Sequence, residues 1–307
     1  MQQHSLKFVF AFFLLSFAIA CGEPKDKVAQ YDSPRSGRII ISVDESFKPV
    51  IAEQIKVYQA SFPGTEIKAY YKPEAECLRD LQQDSVRLVI VSRGLSEAEI
   101  ESFTNYLSYK PQFDIVAYDA IAAIINMEEK DSIYSLKKLS DLVLGKDSSM
   151  KVVMDGRSAT SAVSYIFDSL TNGKGFGKNT EAAAGSQGVL DYIASNAGAI
   201  GFVGSSWVGN SQIPAQKALA KRIKLAFVEC KCCDSGTYAK ASQIAITYGQ
   251  YPLVRPLYFI LKENATGLGT GFTNFLSLER GQLIFRRSNL APAKIGFGIR
   301  KTLIDEN

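Results

Sequence analysis

Histidine is almost absent from this chain of 307 residues. The single histidine is His4, so the chain beyond it contains no imidazole. This excludes Ser-His-Asp and Cys-His catalysis and every metal site built from histidine. No motif singles out another nucleophile with a lysine or carboxylate base beside it. The sequence therefore favours a binding protein over an enzyme, and it predicts neither a cofactor nor a metal.

Long apolar segments are also scarce. The run FVFAFFLLSFAI at residues 8–19 follows Lys7 and is too short to span a bilayer comfortably. It is typical of a signal peptide, which we expect to occupy residues 1–20. The small residues before Cys21 resemble a bacterial lipobox, which predicts an exported protein that is lipidated at Cys21 and anchored to a membrane. The alternative is ordinary cleavage after Ala20, which would leave Cys21 free.

Neither sign of charge dominates the composition. The chain has 35 basic and 31 acidic residues, a formal net charge of +4. It lacks a basic block with interleaved aromatic residues, so a nucleic acid partner is not expected. Residues 21–36 are polar and predict a flexible tether. The remaining length and the hydrophobic content of 46% suffice for one large domain or two ordinary ones.

Cysteine is used sparingly. Apart from Cys21, the chain contains Cys77 and the cluster Cys230, Cys232 and Cys233. Export permits disulfides, and we expect one structural disulfide or buried thiols. The alternative is that the cluster forms a soft-metal or redox clip.

Strand-like and helix-like patterns alternate along the chain. Buried runs at residues 38–43, 86–93 and 151–155 are each followed by a segment with apolar residues at helical spacing. This alternation predicts an α/β fold with parallel-rich sheets and flanking helices. We also expect a strand at QIAIT (243–247) and a break at Gly281 in the last helical segment.

Hydroxyl groups and positive charges collect where strands lead into helices. The densest case is VVMDGRSATSAVSYIF at residues 152–167, and the others lie within residues 42–55 and 89–99. Helix N-termini present unpaired N–H groups, and nearby hydroxyls add donors that suit an anion. A helix cap alone would explain one such junction. Three in one chain favour an anion site.

Four segments carry a family resemblance: VAYDAIAAIIN with SLKKLSDLVLGK after it, NAGAIGFVG, YPLVRPLYFILK and FTNFLSLERGQLIFRRSNLAPA. In this order they resemble the phosphate-binding components of bacterial phosphate ABC importers, which have the type II periplasmic binding protein fold. The resemblance implies two lobes joined by two crossing strands. Lobe one would comprise residues 37–116 and 244–307, and lobe two residues 117–243, with ligand in the cleft between them.

The resemblance also implies a ligand set, although the match is uneven. The family's Ser-Phe pair after the first strand corresponds to Ser46 and Phe47, and its Ser-Asp pair after the third strand to Ser92 and Arg93. Its Arg and Ser-Gly-Thr before the lobe-two helix correspond to Asp155 and to residues 159–161. With Arg157 also in reach, the implied set is Ser46, Phe47 through its backbone N–H, Ser92, Arg93, Arg157, Thr160 and Ser161.

Arg93 and Asp155 look like an exchanged charge pair. The family's aspartate accepts a hydrogen bond from a protonated oxyanion, which Arg93 cannot do. The implied site would tolerate dianions such as sulfate, with Glu74 and Glu76 opposing them. The alternative is that Arg93 and Asp155 form a salt bridge in a degenerate cleft.

These observations predict a lipid-anchored solute-binding protein. It would capture phosphate or a related oxyanion and deliver it to a membrane permease and its ATPase. The alternative is a surface or sensory lipoprotein that kept the fold, lost the ligand and acts through protein contacts.

Overall fold

A computed structural model of the chain describes residues 32–157 and 160–295. The predicted signal peptide, Cys21 and most of the predicted tether lie outside these residues. Within the described ranges, no helix is long and apolar enough to cross a membrane.

Strands and helices alternate through most of the described chain. The strands are β1 (Ser36–Asp44), β2 (Gly64–Lys72), β3 (Val86–Val91), β4 (Gln112–Asn126), β5 (Ile133–Tyr134), β6 (Lys151–Met154), β7 (Thr180–Ala182), β8 (Ala199–Gly204), β9 (Ile223–Leu225), β10 (Phe227–Glu229), β11 (Tyr238–Ala239), β12 (Val254–Leu261) and β13 (Ala291–Pro292). The helices are α1 (Lys48–Ser61), α2 (Glu74–Asp80), α3 (Glu97–Leu107), α4 (Leu136–Val143), α5 (Ser161–Thr171), α6 (Gly185–Ser195), α7 (Pro214–Leu219), α8 (Gln243–Thr247), α9 (Leu268–Ser277) and α10 (Glu279–Arg287).

The main sheet has the strand order β2-β1-β3-β12-β4-β8-β6-β7, with β9 and β13 also paired to β4. Pairing is parallel at the two ends, within β2-β1-β3 and within β8-β6-β7. It is antiparallel in the centre, where β12 and β4 run side by side. Parallel strands require crossover connections, and these are the helices that cover the sheet.

Strand β4 joins two hydrophobic cores. Its residues 112–120 pair with β12, and its residues 121–125 pair with β8. Val116 and Ala117 pack in one core, with β1, α1, α9 and α10, whereas residues 120–125 pack in the other, with β6, α5, α6 and β8. The division into two lobes stays a prediction.

Two local predictions are wrong. Residues 243–247 form helix α8, because the Ser242 hydroxyl caps it by accepting from the Ala245 N–H at 3.2 Å. The chain breaks at Leu278, between α9 and α10, instead of at Gly281. Gly281 serves close packing within α10, since a Cβ there would lie 2.2 Å from the Phe275 carbonyl oxygen.

The cysteine cluster contains a disulfide between Cys230 and Cys233. Cys77 is a buried thiol and Cys232 an exposed one. The four cysteines that the structure describes therefore contain one disulfide, as expected. Among the described residues, no group of three or more metal-ligating side chains could hold an ion.

The buried carboxylate of Glu263 supports the N-terminus of α9, whose N-cap residue has no side chain of its own to accept a bond. It accepts from the Gly269 N–H at 3.0 Å and from the Thr270 N–H and hydroxyl at 2.9 Å each. Arg87 lies 3.1 Å away as the compensating cation. A negative charge at a helix N-terminus is stabilising, more so where water is excluded.

We expect Glu263→Gln to lower the free energy of unfolding by about 2 kcal/mol, because the amide loses the charge and can accept with one oxygen only. Urea denaturation with an unchanged m-value measures this. Glu66→Gln is the matched control: it breaks an exposed ion pair with Arg38 and should change the free energy by less than about 0.5 kcal/mol. Equal losses in the two variants would contradict the capping role.

Candidate functional site

The first part of the site is the turn that follows β1. Asp44 ends the strand, and its Oδ1 accepts from the Ser46 N–H and the Ser46 hydroxyl, both at 2.9 Å. These bonds hold Glu45–Phe47 as a 3-10 turn that leads into α1. Ser46 and Phe47 are buried. The predicted Ser-Phe pair therefore lies at the carboxyl end of β1, a strand paired on both sides, and a carboxylate fixes it there.

The second part is the loop that joins β6 to α5. Thr160 caps α5, because its Oγ1 accepts from the Val163 N–H at 3.3 Å and also donates to Asp155 Oδ1 at 2.6 Å. Ser161 is the first residue of α5 and is buried. Its hydroxyl lies 3.3 Å from the hydroxyl of Ser46. The same loop thus supplies a helix cap through Thr160 and a site hydroxyl through Ser161.

Arg255 on β12 joins the two parts, and sequence reasoning missed it. This side chain is only 1% exposed. Its Nη2 donates to Ser46 Oγ at 2.8 Å, and its Nη1 donates to Ser161 Oγ. Its Nε and Nη2 donate to Asp119 Oδ2 of β4 at 3.1 and 3.0 Å, and the guanidinium lies 4.6 Å from the centroid of the Phe47 ring.

An arginine inside the otherwise apolar strand run LVRPLYFIL was the available signal, since arginine is rarely buried without a partner. Its partner Asp119 lies in an equally apolar run, AYDAIAAII. Two isolated charges of opposite sign in buried strands predict an ion pair. The sequence does not show that Arg255 and Asp119 are the two partners, and the contact between them in the structure does.

Arg93 does not reach this group. Its guanidinium makes a bidentate pair with Glu99, at 2.8 and 2.9 Å, and its side chain is 46% exposed. Glu99 is held there by the capping box it forms with Ser96. The proposed salt bridge between Arg93 and Asp155 is therefore absent from the described contacts, because Glu99 is the carboxylate that the capping box places beside Arg93.

Ser92 is bound to a buried carboxylate. Its N–H and hydroxyl donate to Glu74 Oε1 at 2.6 and 2.7 Å. Burial and the nearby carboxylate of Asp44 raise the pKa of Glu74. Arg157 is exposed and lines a separate cavity with Gly156 and Phe176. Of the predicted set, the structure therefore brings together Ser46, Phe47, Thr160 and Ser161. It connects Ser92 to the same charged group through Glu74, and it places Arg93 and Arg157 in other surroundings.

Negative charge exceeds positive charge around the two serines. Asp44, Glu74, Asp119 and Asp155 are all buried and interact electrostatically with a single buried cation, Arg255. Burial raises the pKa of Asp155 to about 7, although the hydrogen bond from Thr160 opposes the shift. Asp44 Oδ2 is shielded from solvent and has no hydrogen-bond partner among the described residues. Because buried charge is costly without compensation, burial favours the protonated forms of Glu74 and Asp155.

Trp207 stabilises the turn at Ser46 through a hydrogen bond to its backbone. Its indole N–H donates to the Ser46 carbonyl at 3.0 Å. It is the only tryptophan in the chain. Any movement of the turn should therefore alter the environment of the one indole, which makes its fluorescence a reporter for the site.

Comparisons with known proteins agree with this architecture. The family model described as "PBP superfamily domain" matches residues 28–279. The phosphate-binding protein PstS of Pseudomonas aeruginosa is 26% identical over 275 residues, which cover 83% of this chain and 81% of the relative.

Solved structures with the same fold include a protein from Clostridium perfringens, assigned as a phosphate ABC transporter substrate-binding protein and solved with bound phosphate. It has 19% identity and a TM-score of 0.70, over 84% of this chain and all (100%) of that one. An ABC-type phosphate transport receptor from Vibrio cholerae has 15% identity and a TM-score of 0.59, over 84% of this chain and 100% of that one. The predicted α/β fold class, that of type II periplasmic binding proteins, is confirmed. The chain belongs to the PBP superfamily.

Proposed function

We propose that this protein captures phosphate, or a closely related oxyanion, between Ser46 and Ser161. The observation that carries the proposal is the shared guanidinium of Arg255, which already binds both hydroxyls. One cation and two hydroxyls from separate segments converge at the carboxyl ends of β1 and β6, where ligands bind in open α/β sheets. The names of the relatives supply the choice of phosphate.

Binding would require the two segments to separate and close again. The two hydroxyls are at hydrogen-bonding distance from each other, so an anion between them must first part them. The ligand would then replace the contact between the serines with bonds from both hydroxyls and from the guanidinium. Such closure around a ligand is the usual hinge motion of binding proteins of this architecture.

The buried carboxyl groups around Arg255 would make the affinity depend on the ligand's charge. Arg255 has its charge offset by Asp119, at 3.0 Å, so Asp44, Glu74 and Asp155 add repulsion against a dianion. A protonated carboxyl group can donate to an oxyanion, and an ionised one can accept from a protonated ligand oxygen. The site would therefore favour phosphate with at least one proton, and it would bind sulfate more weakly. This reverses the expectation drawn from Arg93, which pairs with Glu99 instead.

Delivery to an ABC permease and its ATPase completes the proposed role. The chain would be exported and held at a membrane through lipid on Cys21. It would act as a receptor and catalyse no reaction, as the relatives' names describe binding proteins.

The second candidate is a surface or sensory lipoprotein that acts through protein contacts. The favouring observation is that Arg255 is already satisfied by Asp119, Ser46 and Ser161 without any ligand. In that case the hydroxyls stabilise the fold and no anion enters.

Titration of purified protein with phosphate separates the two candidates. We expect saturable binding with a micromolar Kd, together with a change in Trp207 fluorescence. Ser161→Ala should weaken binding roughly tenfold, because one hydrogen bond to a charged ligand is lost. Ser164→Ala, an exposed serine in the same helix, is the matched control and should leave the Kd unchanged. If phosphate produces no heat of binding and no change in Trp207 fluorescence, the second candidate is favoured.

Phosphate affinity should fall more steeply with rising pH in the wild type than in Asp155→Asn. Above pH 7 the Asp155 carboxyl group ionises and repels the anion, whereas an amide stays neutral. We expect the Kd ratio of wild type to variant to grow by at most about fivefold between pH 7 and pH 8, because one linked proton is involved and half of it is already lost at pH 7. The ionisation of phosphate affects both proteins and cancels in the ratio. Parallel pH profiles would exclude Asp155 from the site.

The free energy of unfolding gives an independent check on the ionisation of Asp155. The folded-state pKa of Asp155 is raised above the usual value, so the folded state binds the extra proton and stability falls as pH rises from about 4 to 7. Asp155→Asn should therefore raise the free energy of unfolding at pH 8, by about 2 kcal/mol, and the gain should shrink towards pH 5. A gain independent of pH would contradict this assignment.

Anchoring is tested by Cys21→Ser. We expect wild-type protein to partition with membranes and the variant to appear in the soluble fraction, because lipidation requires the thiol. Identical membrane partition of both proteins would contradict the anchor.

A further inference from the structure

The turn that carries Ser46 is bonded to a second helix besides α5. Glu45, the first residue of this 3-10 turn, accepts at Oε2 from the Ser186 hydroxyl at 2.8 Å and from the Ser186 N–H at 3.3 Å. Ser186 lies in the first turn of α6, whose N-cap residue Ala184 makes no side-chain cap bond. A carboxylate 141 residues away in the chain therefore takes the place of a cap.

The fit between these two residues is close. Ser186 is fully buried and Glu45 is half-buried. The backbone of Gly185 has a φ of +74°, and a Cβ at this position would lie only 3.3 Å from Glu45 Oε1. Burial raises the pKa of Glu45, and the hydrogen bonds from Ser186 oppose that shift. We call the contact between Glu45 and Ser186 the latch.

The latch joins elements of different hydrophobic cores. Phe47, which lies in the same turn as Glu45, packs in the core of β1 and α1. Val189 of α6 and Val163 of α5 both pack in the other core. Because α5 and α6 share that core, parting the turn from the start of α5, which phosphate entry requires, would also part it from α6 and break the latch.

The latch is made while the hydroxyls of the site touch. Ser46 Oγ and Ser161 Oγ lie 3.3 Å apart in the same arrangement in which Glu45 binds Ser186. Phosphate would take its bonds from the two site serines and Arg255, which are groups other than those of the latch. The latch would therefore stabilise the closed site equally before and after phosphate enters. An interaction made equally in both closed forms cancels from the Kd and slows entry and release alike.

We infer that the latch between Glu45 and Ser186 sets the rate at which phosphate enters and leaves the site, without setting the affinity. Both are positioning residues, because they act through the turn that carries Ser46. The inference rests on the proposed function for its ligand, but the opening movement can also be followed without phosphate.

The variant Ser186→Ala removes the shorter bond of the latch and leaves every charge in place. We expect it to raise the association and dissociation rate constants for phosphate together, by roughly fivefold, with a Kd within about twofold of the wild type. Stopped-flow fluorescence of Trp207 in the purified full chain measures both rates. A loss of structure alone would instead weaken binding and so change the Kd.

The matched control is Ser140→Ala. The Ser140 hydroxyl donates to the Leu170 carbonyl at 2.7 Å and joins α4 to α5 within one core, so its loss should leave both rates unchanged. Glu45→Gln should accelerate phosphate exchange less in the Ser186→Ala background than in the wild type, because both changes weaken the same contact.

The indole N–H of Trp207 reports the opening without phosphate. It donates to the Ser46 carbonyl, so its exchange with solvent deuterium requires the turn to move away. Exchange followed by NMR should be about fivefold faster in Ser186→Ala than in the wild type, and unchanged in Ser140→Ala. Faster indole exchange together with no phosphate binding would refute phosphate capture and support the latch. Unchanged indole exchange, or a rise in the dissociation rate alone, would overturn the latch.

Discussion

The buried guanidinium of Arg255 is the constraint on which the rest of the site depends. A charge removed from water needs a counter-charge and hydrogen bonds on its remaining N–H groups. Asp119 provides the counter-charge, and Ser46 and Ser161 provide the hydrogen bonds. These partners come from β4, from the turn after β1 and from the first residue of α5. Three segments distant in sequence are thus positioned by one side chain, and the loss of any partner would leave a buried donor unsatisfied.

The same constraint explains why the serine turns are so strongly supported from outside. Ser46 is held by Asp44 on one side and its carbonyl by Trp207 on the other. The next residue back, Glu45, accepts from the N–H and hydroxyl of Ser186 at the start of α6. The turn therefore contacts elements from both hydrophobic cores. A displacement that admits a ligand must alter several of these bonds together, which favours a concerted movement over local rearrangement of one side chain.

The hydrophobic pattern predicted the secondary structure where residues close in sequence determine it. Runs of β-branched residues followed by amphipathic segments predicted β1, β3 and β6 correctly. The family resemblance implied Ser46, Phe47 and Ser161, which lie at two of the strand-to-helix junctions. Five residues were too few to distinguish a strand from a helix at 243–247, where the Ser242 cap decides the outcome. Arg255 was missed because its burial depends on Asp119, 136 residues away. Arg93 was misplaced because Glu99 was interpreted only as part of a capping box, although the same carboxylate also binds the guanidinium.

Burial decides what Arg255 can recognise. Around Arg255, water is excluded and each guanidinium nitrogen already has a partner, so an entering ligand must replace each bond or leave a desolvated group unpaired. That requirement selects for shape and protonation state, and it penalises a poor match heavily. A fully buried site of this kind suits one ion.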